Sequence, residues 1–338
     1  MHLVLIIILS IVIGLVVLLC LLFIFAKRWA KKKKNKLEHR SKIASTPKGE
    51  IEYIVLGEGE GIPLLIFHGA PGGYDQGFLM KEFVEKGFKI VAFSRPGYLR
   101  TPLNGNRDYT KQAELAFSLL EYLQISNCVV VGLSAGGPIA LRFVLQFPSR
   151  VIALILMSAV TKKYIPKDYQ SNSLLGKIYL SNLGGDLFGF LLSLTLNMQP
   201  DRVLKSFLKI ETTFSSEKIN TYIKQISKTS DQMNWFKALV RSTFPLSIRN
   251  EGLKNDIKML SEIEPLPLEK IEKPILVIHS KYDGDVEFSH ALNVMERNRH
   301  AQLFESQGLG HLVWLGPDRT QMYQKVYTFI EKQTSERP

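Results

Sequence analysis

The sequence predicts an α/β fold: a mostly parallel central sheet with helices on both faces, interrupted by a helical insertion and preceded by one transmembrane helix. Three observations carry this. From about Gly49, short β-rich runs alternate with helical ones, the pattern of βαβ units. The alternation stops near Thr161 and resumes only after Pro267. Ahead of it all, Leu3 to Ala26 contains no charged residue.

That first run reads LVLIIILSIVIGLVVLLCLLFIFA. At 1.5 Å per residue it is long enough to cross a hydrocarbon core of about 30 Å. A cleaved secretory signal would need a shorter apolar core and a small-x-small exit, whereas this run leaves through FAKRWAKKKK. The residues before Cys20 are Val-Leu-Leu, not the small residues of a lipoprotein site. A retained anchor over residues 1–26 is therefore expected, with a basic linker over 27–47. Positive charge favours the cytoplasmic side, which puts the body in the cytoplasm at the cell membrane and Trp29 at the interface. The basic run also suits contact with anionic membrane lipid.

The remaining elements follow in order. IEYIVLGEG reads as a strand, and PLLIFHG as a short buried strand before a Gly/Pro loop. DQGFLMKEFVEKG has helical spacing, with Gly87 as its cap. FKIVAFS is a buried strand, and Asp108 is placed to cap the helix YTKQAELAFSLLEYLQI. Next come the strand CVVVGLS, the helix GGPIALRFVLQFP and the strand VIALILMSA. After the insertion, KPILVIHS is a strand, VEFSHALNVMERN a helix, AQLFES a strand, and the chain closes in an amphipathic helix from about Asp318 to Gln333. Within the insertion LFGFLLSLTL is strongly apolar but only ten residues long, so a buried or groove-lining helix is expected rather than a second span.

The net charge of +12 is local. Lys27, Arg28, Lys31, Lys32, Lys33, Lys34, Lys36, Arg40 and Lys42 are opposed there only by Glu38, which leaves about +4 for the rest. Nothing in this balance points to nucleic acid. The two cysteines, Cys20 and Cys128, fall in unrelated segments, so no disulfide framework is expected. No His, Cys, Asp or Glu cluster has metal-ligand spacing, and no metal or cofactor is expected.

The chemistry centres on Gly132-Leu133-Ser134-Ala135-Gly136. It follows the buried-strand signature CVVV and precedes a helix. A sharp turn there would lift the Ser134 hydroxyl out at the carboxyl end of the sheet, and bulky neighbours would clash. A lone serine is a poor nucleophile and needs a base held by an acid. Asp283 lies just beyond the strand KPILVIHS, and His311 lies in a Gly-flanked loop before the last helix. The order Ser134, Asp283, His311 suits three loops at one sheet edge. The Gly/Pro loop after PLLIF can aim a backbone N–H at the serine, so Ala70 and Ala135 are the expected oxyanion donors. Asp285 competes with Asp283 and fits the spacing less well. His2, His39, His279, His290 and His300 lack the Gly-His context, and His68 reads as structural. Arg95 and Tyr98 read as residues of a Pro-Gly turn.

These elements together resemble the α/β-hydrolase superfamily over about Gly49 to Gln333. His68-Gly69-Ala70-Pro71-Gly72 is similar to its H-G-x-P-G oxyanion loop and Gly132 to Gly136 to its nucleophile elbow. Asp283 and Gly310-His311 match its acid and histidine positions. Ser280, Leu99 and Thr101 depart from common family residues. The resemblance implies a discontinuous core, 48–160 and 268–335, with 161–267 as a helical cap. It also implies a small-molecule substrate, most often a carboxylic ester, cleaved through an acyl-enzyme on Ser134. An aminopeptidase of the prolyl-iminopeptidase type would need a cap carboxylate, Asp186, Asp201 or Glu211, for the substrate amine. The same triad can cleave carbon–carbon bonds, and a non-enzymatic tethered binding protein is the remaining reading.

Overall fold

The computed structural model describes residues 2–165 and 174–335. Its strands are β1 (Lys42–Thr46), β2 (Gly49–Leu56), β3 (Pro63–Phe67), β4 (Lys89–Phe93), β5 (Cys128–Leu133), β6 (Val151–Met157), β7 (Ile275–His279) and β8 (Ala301–Glu305). The helices are α1 (His2–Glu38), α2 (Lys81–Glu85), α3 (Tyr109–Tyr122), α4 (Gly137–Gln146), α5 (Leu174–Tyr179), α6 (Asn182–Met198), α7 (Pro200–Glu211), α8 (Ser216–Ile226), α9 (Ser230–Ser242), α10 (Asn250–Ser261), α11 (Ser289–Arg297) and α12 (Arg319–Ser335).

The eight strands form one sheet in the order β1-β2-β4-β3-β5-β6-β7-β8. Pairing is antiparallel for β1–β2 and β2–β4 and parallel from there to β8. Every residue of β5 and β6 is buried, as expected where helices cover both faces of a parallel sheet. Side chains alternate between those faces. Leu64 and Ile66 join a core with Phe83 of α2 and Met322 and Val326 of α12, while Leu65 and Phe67 pack with Leu115 of α3, Ile139 of α4 and Val294 of α11. Asp108 caps α3 by accepting from the Lys111 N–H. Parallel register sets Phe67 opposite Gly132, so the loops after β3 and β5 leave the sheet side by side.

The described part of 161–267 is helical, α5 to α10, with no strand among its described residues. Three segments differ from expectation. The basic stretch expected as a linker is ordered: α1 runs on through the lysines to Glu38, and β1 follows at Lys42. No Gly or Pro lies between Leu15 and Thr46 to end the helix, and lysine is a good helix former. The apolar stretch in α6 is only half packed. Gly185, Asp186, Gly189 and Leu196 are buried, whereas Leu183, Phe188, Leu191, Leu194 and Met198 are exposed. The Tyr74–Met80 segment is a 3-10 turn leading into α2 rather than one helix. The apolar part of α1 has mean hydropathy 3.5 and is unburied, which makes it a candidate membrane span by length and composition.

Candidate active site

Ser134 stands at the turn from β5 to α4 with φ 47°, a left-handed conformation that L-residues seldom adopt. Its neighbours explain how the turn fits. A Cβ on Gly136 would lie 2.1 Å from the Phe67 carbonyl oxygen, and one on Gly132 2.8 Å from Ala140 Cβ. Only bare backbone lets α4 start this close to β3 and β5.

The three distant side chains meet. Ser134 Oγ is 3.0 Å from His311 Nε2, and His311 Nδ1 is 2.9 Å from Asp283 Oδ2. Asp283 Oδ1 accepts from the N–H groups of Asp285 and Val286, at 2.9 and 2.8 Å, which fixes the carboxylate plane. Burial alone would raise the Asp283 pKa, but His311 and the His279 hydrogen bond outweigh it and hold the carboxyl at about 2. Burial alone would lower the His311 pKa. The Asp283 charge and hydrogen bond, with Asp285 and Glu211, overcome it and push the imidazole up to about 10. The rival Asp285 sits 4.0 Å from His311 Nε2 and accepts from Tyr164 Oη, so it faces the wrong ring nitrogen to orient the base.

The loop after β3 passes directly over the serine: a Cβ on Gly69 would come within 3.2 Å of Ser134 Cβ. Gln76 braces this loop, taking the Gly69 N–H at 3.0 Å and donating to Pro71 O at 3.2 Å. Among the described residues neither the Ala70 nor the Ala135 N–H has a protein hydrogen-bond partner. His68 is structural. Its Nε2 accepts from the Arg95 N–H, which leaves Nδ1 to donate to Gly69 O. Burial, then Arg95, lowers its pKa well below the usual value.

Several contributors escape sequence reasoning. His279, read only as a strand end, places Nε2 3.3 Å from Asp283 Oδ2. Arg95 and Tyr98 are buried and both bind Asp256 of α10, Arg95 through two N–H groups at 2.8 and 2.5 Å and Tyr98 through its hydroxyl at 2.6 Å. Arg249, just before α10, grips Asp75 with both terminal nitrogens and donates to Gly72 O. No local signal could reveal pairs more than 150 residues apart. Of the cap carboxylates, Asp186 accepts from the Ser247 N–H and Asp201 from Ser227 Oγ. Glu211 comes to the site, where its carboxylate, that of Asp285 and the His311 ring bring ligand atoms within 4.8 Å of one another. A cation held there would claim the nitrogen that faces Ser134. Cys20 and Cys128 are both free thiols.

Known proteins give the same frame. The family model for the alpha/beta hydrolase fold matches residues 62–313. The uncharacterized hydrolase YcgS of Bacillus subtilis (strain 168) is 30% identical over 284 residues, 84% of this chain and 95% of that protein. A non-heme chloroperoxidase of Burkholderia pyrrocinia is 34% identical over 116 residues, 33% of this chain and 42% of that one. The solved alpha/beta hydrolase fold protein from Nakamurella multipartita superposes with TM-score 0.78 at 27% identity, covering 86% of this chain and 98% of that one. With its matched residues running from the residue before β3 through the His311 loop, the chain belongs to the alpha/beta hydrolase family and is a hydrolase of that type.

Proposed function

We propose that the protein is a membrane-anchored serine hydrolase that cleaves carboxylic esters through an acyl-enzyme on Ser134. The observation that carries this reading is the unbroken line Ser134 Oγ, His311, Asp283, at 3.0 and 2.9 Å. His311 Nε2 takes the hydroxyl proton as Ser134 Oγ attacks the ester carbonyl, and Asp283 stabilises the imidazolium that forms. The N–H groups of Ala70 and Ala135 receive the negative charge on the carbonyl oxygen, assisted by the nascent α4 N-terminus. His311 then protonates the leaving alcohol, and the acyl-enzyme bond breaks when the same nitrogen activates water. The apolar cap and the apolar α1 support a lipophilic ester as substrate. The helix α1, with its basic exit, supports a single-pass anchor and a cytoplasmic body.

One second reading has support from a particular pair. Glu211 and Asp285 beside His311 could hold a substrate ammonium, which would make the reaction release of an N-terminal residue. The deciding experiment is turnover of aryl and acyl esters against aminoacyl amides by the full chain, with Ser134→Ala alongside and labelling by a fluorophosphonate as a second readout. The variant is expected to lose labelling and roughly ten-thousand-fold or more in kcat. Undiminished ester turnover by Ser134→Ala would refute the assignment, and turnover confined to amides would favour the second reading.

A further inference from the structure

Between Asn182 and Asn197 the exposed residues of α6 are apolar. Its residues Leu183, Leu187, Leu191, Leu194 and Met198 recur at spacings of four and three, one stripe along a helix. Four of them are more than two-fifths exposed, from 41% at Leu191 to 76% at Met198, and Phe188 beside them is 49% exposed. The one charged residue of α6, Asp186, faces inward, where it accepts from the Ser247 N–H. A surface helix ordinarily turns charge outward, and a contiguous exposed apolar patch marks a contact site.

The occupant follows from what lies next to it. α1 docks on α6 where the apolar run ends: Ala26 is fully buried, Leu22 and Phe23 are half-buried, and the Trp29 ring meets Phe190 at 6.2 Å. Further along, Lys33 shares a cleft with Ser193 and Leu196, so the two helices run in the same sense. At 1.5 Å per residue, Leu183 lies about 10 Å before Phe190 along α6, level with the Leu22 end of the docked segment. The run Leu3–Ala26 spans about 36 Å, more than a hydrocarbon core of about 30 Å needs. Its last turn, the part that the cap touches, therefore falls at the membrane boundary. The neighbouring Lys27, Arg28, Lys31, Lys32 and Lys34 are exposed, as headgroup contact requires.

We infer that the start of the exposed stripe, Leu183 and Phe188, lies in the interfacial layer of the same bilayer leaflet from which α1 emerges, so that the cap rests on the membrane there. This rests on α1 crossing a bilayer, and the test separates the two. The full chain carrying Cys20→Ser is labelled with an NBD fluorophore at one introduced cysteine, Leu183→Cys or Phe188→Cys on the stripe, Leu9→Cys in the anchor, or Lys111→Cys on the exposed side of α3. Each is reconstituted in phosphatidylcholine–phosphatidylglycerol vesicles. The stripe labels are expected to shift to shorter emission wavelength and lose emission to doxyl-labelled lipid more than to iodide, as at residue 9, with the reverse at residue 111. Quenching by lipid at residue 9, with stripe labels that respond to iodide like residue 111, overturns the inference and leaves the anchor standing. Stripe labels shielded from both quenchers also overturn it, and point to a second copy of the chain on that face. Failure of lipid quenching at residue 9 removes the anchor and the inference together. None of these outcomes depends on catalysis by Ser134.

Discussion

The His279 imidazole stands 3.3 Å from Asp283 Oδ2, the same oxygen that receives Nδ1 of His311 at 2.9 Å. His279 Nε2 also lies 2.8 Å from Val286 O, so that nitrogen carries a proton shared between a carbonyl and the carboxylate. Asp283 is thus held from two sides by imidazoles and from below by two backbone N–H groups. The second imidazole gives the carboxylate one fixed orientation even while His311 exchanges its proton with substrate.

Replacement His279→Ala removes one donor from a buried carboxylate. A hydrogen bond to a charged group contributes about 1.5 kcal/mol at the lower end of its range, so kcat is expected to fall roughly tenfold. KM for a short aryl ester is expected to change little, because His279 does not face Ser134. Steady-state kinetics that show an unchanged kcat would deny His279 any positioning role.

The pH dependence follows from the carboxylates around His311. Only the neutral imidazole can take the Ser134 proton, and Asp283, Asp285 and Glu211 together push its pKa up to about 10. The kcat/KM of the free enzyme is therefore expected to rise with pH into the alkaline range. Asp285→Asn deletes a charge 4.0 Å from Nε2 and lowers that pKa, so the rise moves to lower pH. A pH–rate profile of the two proteins checks the direction.

Gly136→Ala places a methyl group 2.1 Å from the Phe67 carbonyl oxygen, part of the rigid β3 backbone. Overpacking against backbone costs about 3 kcal/mol or more, and the turn that carries Ser134 must move. Loss of both thermal stability and fluorophosphonate labelling is the expected result.

Arg249 is fully buried against Asp75. Arg249→Met leaves the Asp75 carboxylate without its partner, and breaking such a pair from one side costs about 3–5 kcal/mol. The double variant Arg249→Met with Asp75→Leu removes both charges and is expected to recover part of that loss in denaturant unfolding. Additive losses would argue against the pair acting as a unit.

Legibility in the sequence tracked distance along the chain. The turn at Ser134 was readable because strand, glycines and helix are contiguous, and each is a local steric requirement. Chain order, the strand before Asp283 and the glycine before His311 brought the acid and the base into view, since loops at the carboxyl ends of parallel strands share an edge. The ion pairs Arg95–Asp256 and Arg249–Asp75 join residues more than 150 positions apart, and nothing local distinguishes a buried arginine in a Pro-Gly turn from a solvated one. The α6 stripe was hidden for another reason: in LFGFLLSLTL the packed Leu196 and the open Phe188, Leu191 and Leu194 are all apolar, so residue type there does not tell the packed side from the open one. The extent of α1 was open to reading, because no breaker follows Ala26.

The Glu211 carbonyl at the end of α7 accepts from both the Gly284 N–H, at 3.0 Å, and the His311 N–H, at 2.8 Å, while Thr212 bridges Asp283 and the Thr213 N–H reaches Tyr282 O. One peptide unit of the cap thus ties the acid loop to the histidine loop. Transplanting a foreign cap into this chain would sever that tie, so chimeras made to alter selectivity should lose turnover as well, unless the graft begins after Thr213.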